Sequence, residues 1–85
     1  MLETEFLETL ERAKGGDIES QFILAMLYED GIGVEINTNE AESWYMRSAE
    51  NGYSNAQFMV CSKRSGKFSI SLTKEQVDKW CKIGI

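Results

Sequence analysis

The chain has 85 residues, of which 42% are hydrophobic and 27% charged, and its net charge is −5. That length supports one small domain, and no apolar run approaches the roughly 18–20 residues a membrane helix needs. Histidine is absent, which excludes it as metal ligand, general base or triad member.

From Met1 to Lys14, Leu2, Phe6 and Leu10 recur at every fourth position with Leu7 and Ala13 beside them, an amphipathic helical stripe. Gly15-Gly16 stops that helix, and Asp17 is a suitable N-cap for a second one reaching about Asp30. Gly31-Ile32-Gly33-Val34 ends the second helix. Asn37 followed by Glu40 has the spacing of a capping box and opens a third helix, closed near Gly52. A fourth runs from about Ser54 to Ser65. Thr73 with Gln76 opens a fifth, reaching about Lys82 with Gly84 beyond it. Between the last two, residues 66–72 alternate Phe68, Ile70 and Leu72 as a short strand would.

A shift of 36 residues decides that segment. It places Ala49 on Ala13, Gly52 on Gly16, Gln57-Phe58 on Gln21-Phe22, Val60 on Leu24 and Trp80 on Trp44. Residues 66–72 then fall on the loop that follows Gly31, so they read as an extended loop with its apolar side chains tucked under the helices. The expected architecture is all-α, an α-α superhelix of five helices. It comprises a capping helix (1–14), a first repeat (15–52) and a second repeat (53–85). Trp44 and Trp80 are expected as core pegs within each helical pair.

The stretch from Ala13 to Gly52 resembles the Sel-one-like repeat family, relatives of tetratricopeptide repeats. The resemblance is carried by Gly16-Asp17, Gln21-Phe22, the loop glycines Gly31 and Gly33 with Val34, Ala41, Trp44-Tyr45 and Ser48 to Gly52. The second copy departs from the pattern, with Arg64 in place of the tyrosine, Lys67 and Ser69 in place of the loop glycines, and Cys81 at the second aromatic position. The resemblance implies a right-handed helical solenoid that binds proteins and carries out no chemistry. Family habit and small size suggest a bacterial or phage source.

No catalytic, metal or cofactor set stands out. Gly31-Ile32-Gly33-Val34 is too short for a phosphate loop and lacks the Lys-Ser/Thr that follows one. The acids show no calcium-loop spacing. Cys61 and Cys81 form no CxxC motif and no disulfide framework, and Cys61 reads as a buried, inert thiol. The closely spaced cysteine pairs of secreted family members are not matched. Two unpaired thiols and no leader point to the cytoplasm.

Two function classes remain. At about 100° per residue, Glu19, Ile23, Met26 and Asp30 share one side of the second helix, Phe22 and Ala25 point toward the preceding helix, and Asn55, Met59 and Ser62 hold the side of the fourth that corresponds to Ile23. The resemblance puts these helices on the concave surface, where the Ile23 position is commonly polar. Apolar Ile23 and Met59 therefore mark a groove for a protein or peptide partner, unless the first helix or a second subunit covers them. Alternatively, the chain is an acidic inhibitor or immunity protein for a basic effector or nucleic-acid enzyme. Residues 1–42 hold eleven acids and two bases, and residues 43–85 three acids and seven bases. Glu29, Asp30, Glu35, Glu40 and Glu42 lie near the glycine loop. Such a field disfavours direct nucleic-acid binding and affects association rate with a basic surface. Two repeats also bury a thin core, so self-association through the C-terminal helix pair is expected as a further possibility.

Overall fold

Residues 2–63 and 72–81 are described by the computed structural model. They form α1 (Leu2–Lys14), α2 (Ile18–Asp30), α3 (Thr38–Glu50), α4 (Ser54–Lys63) and α5 (Lys74–Trp80). No strand occurs among the described residues, so the all-α expectation holds. No helix among them is long and apolar enough to cross a membrane. The segment 66–71, the second-copy positions Arg64, Lys67 and Ser69, and the ends at Ser65, Lys82 and Gly84 lie outside the described residues.

The helix starts follow their local chemistry. The Asp17 carboxylate accepts the Ser20 backbone N–H at 3.1 Å and the Ser20 hydroxyl as well. Thr73 and Gln76 complete a reciprocal capping box, with the Thr73 N–H donating to Gln76 at 2.9 Å and the Gln76 N–H donating to Thr73 at 3.1 Å. At Asn37 only half of the expected box forms. Its side chain accepts the Glu40 N–H at 3.1 Å, but its own N–H donates to the Tyr28 carbonyl at 2.9 Å. A carbonyl near the end of α2 thus takes the role the Glu40 side chain was expected to fill, and the bond ties the loop to α2.

The two turns α1–α2 and α3–α4 are copies of each other. The Gly16 N–H donates to the Ala13 carbonyl and the Asp17 N–H to Arg12, each at 3.1 Å; the Gly52 N–H donates to Ala49 and the Tyr53 N–H to Ser48, also at 3.1 Å. These pairs satisfy the last carbonyls of a helix through a left-handed glycine, and Gly16 and Gly52 have φ of 104° and 98°.

Packing runs between sequence neighbours: α1 on α2, α2 on α3, α3 on α4, and α4 on α5. One core joins them, built from Phe6, Ala13, Leu24, Ala25, Ala41, Trp44, Tyr45, Ala49, Ala56, Val60 and Trp80. Both indoles are buried, as expected of pegs, with 7% and 6% of their surface exposed. Phe6 is buried on Tyr28 of α2, ring edge to face at 5.3 Å between centroids, and Leu10 packs beside it against the core. The α1 stripe therefore packs on α2.

Two expectations need correction. Phe22 was expected to face the preceding helix, yet its ring meets Tyr45 of α3 at 5.6 Å and Tyr53, at the head of α4, at 5.3 Å. Because α2 is sandwiched between α1 and α3, it is apolar on both sides, and periodicity alone could not say which side Phe22 takes. The second correction is covalent. Cys61 and Cys81 are not free thiols; they form a disulfide, with their Cα atoms 5.6 Å apart, inside the range a disulfide spans. Neither is deeply buried. Their pairing depends on α5 folding back onto α4, which their spacing does not encode. It also removes the thiol-based reason for placing the chain in the cytoplasm.

Candidate interaction surface

On α2, the residues facing the core are nearly sealed: Leu24 and Ala25 at 0%, Gln21 at 3% and Ser20 at 4% exposure. Glu19 and Asp30 are exposed on the other side, Ile23 keeps 37% of its surface in solvent, and Met26 is half-buried. On α4, Asn55 and Ser62 are exposed and Met59 is half-buried. Met26 and Met59 both touch the core with part of their surface. The side chains expected to form a groove thus present an outward face on each helix, and α1 leaves Glu19, Ile23 and Asp30 uncovered. Each row consists of apolar residues flanked by polar ones, with carboxylates at both ends of the α2 row.

Buried polar groups next to this surface are satisfied. The Gln21 side chain donates to the Ala13 carbonyl at 3.1 Å and accepts from Asn51 at 3.2 Å. The Ser48 hydroxyl donates to the Ile18 carbonyl at 2.7 Å. No buried side-chain nitrogen or oxygen lacks a partner among the described residues. These bonds tie α2 to α1 and α3, which gives the exposed row a firm base.

The acidic cluster is less available than its sequence suggests. The Tyr45 hydroxyl donates to Glu29 at 2.6 Å, so that carboxylate is engaged inside the fold. Burial pushes the Tyr45 phenol up, and the hydrogen bond to Glu29 and the charges of Glu29 and Asp30 add to the effect. Burial also raises the Tyr28 phenol, with a contribution from Glu40. Glu42 makes an interaction of its own. Asp30, Glu35 and Glu40 are exposed around the loop.

Three features escaped the sequence reading. One is the disulfide. Another is the Tyr45–Glu29 bond, which spans a loop. The third is Phe58: it is the repeat counterpart of Phe22 but keeps 59% of its surface exposed. The substitution of Cys81 for the second aromatic was its only signal. No enclosed pocket and no metal-holding cluster occurs among the described residues.

Comparison with known proteins agrees with the repeat pattern over part of the chain. A stretch of 48 residues, 56% of the chain, is 48% identical to a sel1-like repeat-containing protein of Acanthamoeba polyphaga mimivirus. The chain spans 9% of that relative's length. No family profile and no solved structure matches.

Proposed function

We propose that the chain is a non-catalytic protein-interaction module of the sel1-like repeat type, a superhelical pair of repeats behind a capping helix. Its binding groove is formed by Glu19, Ile23, Met26 and Asp30 of α2 with Asn55, Met59 and Ser62 of α4. The observation that carries this reading is Ile23, which is exposed on the side of α2 away from the sealed core. The relative's name, which is that of a repeat protein, supports it. Methionines that are half in contact with the core adapt to different apolar shapes, and the flanking Glu19 and Asp30 favour a segment whose apolar residues are bordered by lysine or arginine. The ligand is therefore a short amphipathic helix or peptide of another protein.

The test is Ile23→Asp combined with Met59→Asp. The helical circular dichroism is expected to stay, since both sites have solvent access, while partners captured from the source cell and identified by mass spectrometry are lost. Capture at wild-type levels by a folded double variant would remove the groove as the site.

The exposed Asp30, Glu35 and Glu40 favour a second reading, an acidic inhibitor of a basic effector. Association with such a partner slows steeply as salt rises, whereas groove binding led by apolar contact responds little. The exposed Phe58 ring supports self-association through α4 and α5, which sedimentation at tens of micromolar would show as a dimer.

A further inference from the structure

We propose that Cys61 and Cys81 form an exchange site for a dithiol reductant, and that the oxidation state of the pair decides whether α5 stays fastened to α4. This inference is independent of the binding groove. It rests on what the repeat puts at the same positions in the first helical pair. The 36-residue shift carries Ala25 onto Cys61 and Tyr45 onto Cys81. In the first pair, Ala25 and Tyr45 are both wholly buried, and Tyr45 fastens α3 through its ring edge on Phe22 and its hydroxyl on Glu29. In the second pair the ring contact and the phenol hydrogen bond of Tyr45 cannot recur. Cys81 has neither ring nor phenol, Ser65 occupies the Glu29 position, and Phe58 is left 59% exposed. A disulfide between α4 and α5 stands where aromatic packing stood before.

The element it holds is weak by itself. α5 has seven residues, well below the length at which a helix persists alone in water. Trp80 is its only buried side chain among the described residues. Both cysteines keep part of their surface in solvent, so a small reductant can reach the bond.

The exchange is balanced. A thiolate of the dithiol attacks one sulfur of the pair, and the other leaves as a thiolate and takes up a proton. The second thiol of the reductant, losing its proton, then displaces the first cysteine from the mixed disulfide. Two electrons pass to Cys61 and Cys81, and the reductant closes into its own disulfide.

Hydrogen exchange on the full chain, with and without dithiothreitol, tests the proposal. Reduction is expected to lower the protection of the α5 amides, including Val77 and Cys81, by at least about tenfold while α2 and α3 stay as they were. Equal α5 protection in both states would overturn the proposal, as would two maleimide-reactive thiols in the untreated, α5-protected protein. Cys61→Ala with Cys81→Tyr restores the pair found in the first repeat. Its α5 protection is expected to ignore dithiothreitol, and a loss equal to that of the wild type would mean that the reductant acts elsewhere and would also overturn the assignment.

Discussion

Gln57 donates its side-chain amide to the Ala49 carbonyl at 3.1 Å, and Gln21 donates to the Ala13 carbonyl at the same distance. Each glutamine reaches back across a glycine turn to the helix before its own. The repeat is thus visible as one device used twice in the chain, in which the first helix of each pair is bolted to the end of the preceding helix.

The two bolts are not equally deep. Gln21 is buried, with 3% exposure, and its carbonyl also accepts from Asn51. Gln57 is half-buried. Gln21→Ala removes two hydrogen bonds at once, the one its amide donates to the Ala13 carbonyl, which keeps the Gly16 N–H, and the one it accepts from Asn51, and is expected to cost about 2 kcal/mol. Water can replace the lost bond at Gln57, so Gln57→Ala is expected to cost about 1 kcal/mol. Urea unfolding of the two variants checks the order, and a larger loss at Gln57 would show that burial does not set the scale.

Such contacts mark the limit of what the sequence reveals. Asp17, Asn37 and Thr73 cap their helices with groups three residues away, and Gly16, Gly31 and Gly52 end helices through their own backbone. Local chemistry of this kind is legible from spacing. The choice of Tyr28 over the Glu40 side chain as partner of the Asn37 N–H is not, because it depends on how the loop folds back against α2. The same holds for Phe22, whose apolar helix offered two candidate sides, and for the disulfide, which needs α5 in place. On the candidate surface, the outward position of Ile23 is legible from the arc it shares with Glu19 and Asp30. The loss of Glu29 from the free acidic cluster did not, since its donor, Tyr45, lies on another helix.

Gly31 and Gly16 both have positive φ, 70° and 104°, but their surroundings differ. A Cβ on Gly31 would stand 2.7 Å from Ile36 Cγ1, whereas one on Gly16 would meet nothing within 4 Å. Gly16→Ala therefore carries the backbone strain alone, about 1–2 kcal/mol. Gly31→Ala adds displacement of Ile36 and is expected to lose about 1 kcal/mol more. Replacing Ile36 by alanine in the Gly31→Ala background should return that extra part, because the side chain is 66% exposed and contributes little core. Thermal unfolding of the three proteins separates the two effects. If the double variant is no more stable than Gly31→Ala, the Ile36 contact is not the cause.

Tyr45 makes alkaline unfolding diagnostic. Its phenol is raised above the ordinary 10.0 by burial first, and then by its bond to Glu29 and by the neighbouring carboxylate charges. The unfolded chain releases this proton near 10, while the folded chain retains it. The contribution of Tyr45 is therefore complete below the unfolded value and shrinks as pH climbs above it, at about 1.4 kcal/mol per pH unit for one proton. Tyr28, raised in the same direction, adds to the slope. Tyr45→Phe is expected to cost about 1.5–3 kcal/mol at neutral pH, the range for a bond to a charged acceptor. It should also flatten the decline above about pH 10 by one proton. Urea midpoints measured from neutral to strongly alkaline pH read both effects at once. An unchanged alkaline slope in the phenylalanine variant would mean that the Tyr45 phenol is not raised in the folded chain.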